Sequence, residues 1–350
     1  MSIARRTLCV ALVCLTACLA FSAPAHGQQI QQDAKIAEGR LTAEQLQSVT
    51  DFVGAWMDRL LAGDPENVTD ARNAILREFR TPGISETFRD AFSVEVSKRL
   101  GDAVRSETDL VRINAMIIAT QLTNPEADAL IDEGLGDDNA AVQYWSAKAY
   151  LQRVERATAD DGPGMTPAAQ RAIIGKVQQV YDNSPSTPVA RVGIEILSNL
   201  DVPEARETML ALLHDRVQYH ADNPQASYLP EQTAIQLLSA EISRERRVDE
   251  DQVKEVARAA YRYFVLINNQ MQTGNILEGV EPGHLSMLDW CYKCLNAMAA
   301  KFPNLSFTND AETINDQIKL GEWDKLADAA QRWRNILTTT PFSIPADGLE

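Results

Sequence analysis

The chain has 350 residues, 45% of them hydrophobic and 23% charged, which excludes global disorder and supports one large core or two ordinary ones. With 33 Lys and Arg against 49 Asp and Glu, the formal charge is −16, which argues against a nucleic-acid partner because phosphates demand a basic face. The 17 Gly and 15 Pro are too few for a turn-rich all-β chain.

Residues 1–27 read as an export leader. Arg5 and Arg6 form a positive start, Thr7 to Phe21 is apolar, and Ala23-Pro24-Ala25-His26-Gly27 offers the small residues after which a signal peptidase cuts. Cleavage is expected after Gly27, with Ala25 as the alternative. The apolar stretch is shorter than the ~20 residues that span a bilayer. Arg5-Arg6 continues as Thr7-Leu8-Cys9, a poor match to a twin-arginine signal. Leu15-Thr16-Ala17-Cys18 has lipobox form, yet Leu19-Ala20-Phe21 prolongs the apolar run where a lipoprotein would begin a polar tether. The expectation is a soluble exported protein, periplasmic or extracellular, held at a membrane only if Cys18 is lipidated. Cleavage would remove Cys9, Cys14 and Cys18. Cys291 and Cys294 remain, too few for a disulfide framework.

Residues 28–40 are polar and read as a flexible lead-in. Thr42-Ala43-Glu44-Gln45 then has capping-box form, and Phe52, Trp56 and Leu60 continue as a helical stripe. Gly63-Asp64-Pro65 ends that helix. A second runs from about Thr69 through Ile75 and Phe79 to Thr81-Pro82-Gly83, and a third from Ser85 with Phe88, Phe92, Val96 and Leu100. Further along, Tyr261 to Ile267 is the best strand candidate. Its apolar positions, Val253, Ala257, Ala260, Phe264, Ile267 and Met271, nevertheless step by four and three, which is a helix. Trp323, Ala327, Ala330, Trp333 and Leu337 repeat the pattern. No hairpin signal appears. The fold class is all-α.

The helices also recur. Leu122-Thr123-Asn124-Pro125-Glu126-Ala127 returns as Leu200-Asp201-Val202-Pro203-Glu204-Ala205, and Pro125 to Pro203 is 78 residues, or two units of 39. Each copy follows a helix that opens alike, Val111-Arg112 with Ala115 and Val189-Ala190-Arg191 with Ile194. Between them, Val142, Ser146, Ala147 and Ala149 open a third such helix, with Gln143 where Arg is expected; Ala205, Met209 and Leu213, ending at Asp215, form a second helix of the unit.

At these residues, about 105–216, the chain resembles the HEAT-repeat family. The resemblance implies an α-α superhelix, a solenoid of stacked helix pairs with a long curved surface that binds partners. It places a repeat region at 41–226, a C-terminal helical region continuous with it at 227–340, and a tail at 341–350. Ile117, Leu122, Tyr144, Ala147, Leu197 and Met209 are expected in the core. The loop at Ala157–Gly164, with Asp160-Asp161, reads as an insertion on one face.

Chemistry-bearing patterns are few. Cys291-Tyr292-Lys293-Cys294 lies on the stripe Met287–Cys291–Cys294–Met298, which points to a structural pair, either buried thiols or an i,i+3 disulfide. A redox dithiol would sit at a helix start after a strand, and His284 alone does not complete a metal site. His214 and His220 are about 240° apart around a helix and cannot chelate one ion, so with Asp215 they read as solvated groups at a helix end. Some HEAT-like proteins are metal-dependent hydroxylases using His-Glu pairs; this chain has no His-Glu dipeptide. No phosphate loop, dinucleotide fingerprint, nucleophile elbow, zincin or EF-hand motif occurs. No catalytic, cofactor or metal residue is assigned. The leading expectation is a non-catalytic protein-binding or scaffolding protein of the cell envelope, with a protein partner of unknown identity. The alternative is an all-α hydrolase whose acids come from distant helices.

Overall fold

The computed structural model describes residues 29–349, apart from 123, 160–161, 184–185, 245–248, 275–280 and 306–310. The leader with Cys18, the cleavage point and the Asp160-Asp161 pair lie outside these residues. Among the described residues there are fifteen α-helices, one short 3-10 turn at Ala346–Leu349 and no strand. No described helix is long and apolar enough to cross a membrane. The chain divides into two compact units, one up to Gly134 and one from Leu135 onward.

The first unit contains α1 (Gln32–Lys35), α2 (Ala43–Leu61), α3 (Pro65–Arg80), α4 (Glu86–Val104), α5 (Asp109–Ala119) and most of α6 (Pro125–Leu135). Local chemistry sets the helix starts. The Thr42 hydroxyl accepts from the Gln45 N–H and the Gln45 side chain accepts from the Thr42 N–H, so both arms of the capping box are made. Asp64 accepts from Glu66 and Asn67, which starts α3 four residues before the sequence expectation of Thr69. Gly63 supplies the positive φ of 76° that the turn between α2 and α3 requires. α2 packs on α3 and α4, and α5 packs on the same two helices. Phe92 centres this core, with ring centroids 4.9 Å from Phe79, 5.6 Å from Phe88 and 6.1 Å from Phe52. The lead-in docks here: Ile30 and Ala34 are buried, and Lys35 pairs with the buried Glu78 at 2.6 Å.

The second unit contains α7 (Ala140–Thr158), α8 (Pro167–Asn183), α9 (Thr187–Ser198), α10 (Pro203–Asp222), α11 (Leu229–Arg244), α12 (Glu250–Gln272), α13 (Glu281–Ala299), α14 (Ala311–Leu320) and α15 (Trp323–Thr338). From α7 to α13 each helix contacts its next-but-one neighbour. α7, α9, α11 and α13 form one row, α8, α10 and α12 another, and successive helices from α8 to α13 join the rows. α12 also packs on α15 and the terminal turn. Of the stripe, Val253, Ala257, Ala260, Phe264 and Ile267 are buried and Met271 at its end is partly exposed, so helical phase overrides the β-branched and aromatic composition of that segment. After α15, Phe342, Ile344 and Leu349 are buried as well, and the Arg258 guanidinium donates to the Gly348 carbonyl at 2.6 Å.

The recurrence survives in the helix starts: Asp109 and Thr187 open α5 and α9, and Pro125 and Pro203 open α6 and α10. The intervening pair opens at Ala140 and Pro167, off the midpoints, so the described helices do not follow a uniform 39-residue unit. Leu122, Ala147, Leu197 and Met209 are buried as expected. Ile117 and Tyr144 are only half-buried.

Candidate functional site

An open groove of about 600 Å³ runs over the row α7–α9–α11. α7 contributes Ala140, Ala141, Tyr144 and Lys148; α9 contributes Pro188, Arg191, Val192 and Glu195; Leu229 comes from the first turn of α11. Helical spacing explains the set, since 140, 141, 144 and 148 share one face, as do 188, 191, 192 and 195. The walls are mainly apolar. One charged constellation interrupts them: Lys148 Nζ lies 3.0 Å from Glu195 Oε2, and Arg191 Nε lies 3.0 Å from Glu195 Oε1. Tyr144 is held edge-on by Trp145, with centroids 5.4 Å apart. Sequence reasoning did not single out these residues as a site. Tyr144, expected in the core, is half-exposed here, and Arg191 enters the sequence reading only as part of a recurring helix opening.

The second polar concentration is closed to solvent. Glu231 of α11 and His220 of α10 both have fully buried side chains, with His220 Nε2 3.2 Å from Glu231 Oε1. Arg216, one helical turn before His220, also pairs with Glu231 Oε1, and the Tyr181 hydroxyl donates to it at 3.4 Å. Burial pushes the Glu231 carboxyl up, but the neighbouring His220 and Arg216 outweigh this and hold it below the usual carboxylate range. The Tyr228 ring stacks on His220 with centroids 3.9 Å apart, and its hydroxyl donates to Gln270. Gln270 in turn donates to the His220 carbonyl at 2.8 Å. Tyr263 donates to the Leu213 carbonyl, and His284 Nε2 lies 2.9 Å from the Pro224 carbonyl. Burial, and the Glu231 charge after it, push the Tyr181 and Tyr263 hydroxyls well up, so both stay neutral donors.

This corrects the reading of His214, Asp215 and His220 as a solvated helix end. α10 does not stop at Asp215; it continues to Asp222, and the extra turns carry His220 into the core. His214 faces Glu255 of α12, Nε2 to Oε2 at 3.1 Å. Its pKa is lowered, first by burial and then by Arg258 and Arg262, against the pull of Glu255. Cys291 and Cys294 are both buried and free. Burial raises the Cys291 thiol far above its ordinary range. It pushes the Cys294 thiol up to about 12, against a hydrogen bond from Ser239. No group of three or more His, Cys, Asp or Glu among the described residues is placed to hold a metal ion.

No known family, curated protein or solved structure matches this chain.

Proposed function

We propose that this chain is an exported, non-catalytic helical-repeat protein of HEAT-like build that binds a partner polypeptide in the α7–α9–α11 groove. The next-but-one helix packing of the second unit carries the reading, because that is how stacked helix pairs cover each other's apolar faces. The 78-residue recurrence of helix starts supports it, and the leader composition of residues 1–27 supports export. The groove supplies the surface. Apolar walls with a few convergent polar groups are the usual make-up of a ligand site.

The hydrolase alternative draws less support. Its best residues, Glu231 and His220, have no exposed side-chain surface through which a substrate could reach them. Their partners join α8, α10 and α11, while Tyr263 and Gln270 of α12 bond to the α10 backbone. That suits a lock between helices.

The test is affinity capture from envelope extract on the immobilised full chain, alongside a Tyr144→Ala/Leu229→Ser variant of unchanged helicity. The expected result is a discrete partner retained by the first and lost by the second. A partner retained equally by both would contradict the groove as the binding surface.

A further inference from the structure

Glu195 occupies the middle of the groove as a built-in carboxylate, received from two sides. Lys148 reaches it from α7, and Arg191 reaches it from one turn earlier on α9. An ammonium has three N–H donors and a guanidinium five, more than the two oxygens of one carboxylate use. Neither cation makes another ion pair or hydrogen bond among the described residues. The constellation therefore keeps one net positive charge and spare donors in a chain whose formal charge is −16. The side chain of Arg191 is 47% exposed, so those donors are within reach of a ligand.

The apolar surface beside the charges fixes the rest of the chemistry. Val192 and Pro188 continue the same face of α9, Tyr144 stands one turn from Lys148, and Leu229 is exposed at 37% across the groove. A purely ionic ligand would leave Tyr144, Pro188 and Leu229 facing water. A purely apolar one would strip water from Lys148 and Arg191 without replacing the lost hydrogen bonds.

Resting on the binding reading above, we infer that the groove takes a short internal stretch of a partner polypeptide that presents one Asp or Glu beside an aliphatic or aromatic side chain. The partner carboxylate shares Arg191 and Lys148 with Glu195, or displaces Glu195 from them. The apolar side chain packs on Tyr144, Pro188 and Leu229. Glu195 acts as a competitor that keeps the cations paired when the groove is empty.

The test is selection from a random hexapeptide library flanked by constant residues at both ends, using the immobilised full chain, followed by titration of the enriched peptides. Enriched sequences should place Asp or Glu next to Leu, Ile, Phe or Val. Glu195→Gln removes the competitor and should tighten binding by about threefold to fivefold, as expected from loss of a half-exposed ion pair. Lys148→Ala/Arg191→Ala should weaken it by roughly tenfold or more. Exchanging the peptide acid for its amide, or adding salt, should weaken binding to the wild type and scarcely affect the double variant. Enrichment of apolar peptides without an acid, unchanged in Glu195→Gln, would overturn this inference and leave the groove reading standing. Enrichment indifferent to Tyr144→Ala and Leu229→Ser would overturn both. Groove-dependent binding that appears only when the peptide ends in a free carboxylate would replace the internal stretch with a chain end and so contradict it.

Discussion

Glu231 and His220 show how residues with no signature motif can decide the character of a core. Removing Glu231 leaves Arg216 and His220 facing each other without a counter-charge in a buried setting. Glu231→Ala should therefore cost about 3–5 kcal/mol, read from urea unfolding. The pH dependence follows from the depressed carboxyl. Its contribution is complete above the unfolded carboxylate value of about 4.3 and is lost as pH falls through the lower folded value. Glu231→Gln should flatten that acid limb, and an unchanged limb would show that another group controls it. His214 has the opposite charge type, with a pKa lowered by burial. Its neutral form is favoured in the fold, so stability falls as pH drops below the unfolded histidine value of about 6.5. His214→Gln should remove that slope. The cysteines belong to the same scale. Replacing both by Ala should cost on the order of 1–3 kcal/mol, and native-state labelling of either should be slow, since both thiols are buried and raised.

At the scale of elements, helix type and phase were legible because burial follows the 3.6-residue period. The stripes of α2, α12, α13 and α15 lie mostly in the core, with Trp56, Met271, Trp323 and Ala327 partly exposed. The same arithmetic held the clue to the polar cluster. His220 is in phase with Met209, Leu213 and Arg216, and Glu231 is in phase with Ile235, Leu238 and Ile242. A His and a Glu on apolar stripes of adjacent helices imply a buried pair. The spacing between His214 and His220 alone tests chelation and says nothing of the stripe. The groove was not legible in this way, because Lys148 and Glu195 lie on different helices and meet only through packing. Helix contact also has a tight point: a Cβ on Gly193 would lie 3.1 Å from Val177 Cγ1, where α9 meets α8. Gly193→Val should overpack this contact and cost about 1–3 kcal/mol, measured by the shift in thermal midpoint. A neutral effect would show that α8 moves away freely.

At the scale of the whole molecule, recurrence at 78 residues was visible in the sequence, while the uneven spacing of the pair between was not. The positions that set it, Ala140 and Pro167, depend on where loops end and not on the stripe. The acidic surplus has its own consequence, since like charges spread over the surface oppose compaction and salt should raise the thermal midpoint modestly. Export predicts a chain isolated from its native compartment that begins at Gln28, read by intact mass; a diacylglycerol adduct on Cys18 would place it on a membrane instead. The central claim is recognition in the α7–α9–α11 groove. Its most direct measurement is photo-crosslinking in living cells, with a photoreactive residue in place of Tyr144 and, as control, of the exposed Leu320. The account predicts one discrete adduct from position 144 that disappears when Lys148→Ala and Arg191→Ala are added, and none from position 320. The same adduct pattern from both positions, or no discrete adduct from position 144, would contradict it; an adduct at 144 that survives loss of both cations would contradict the acidic-ligand inference alone.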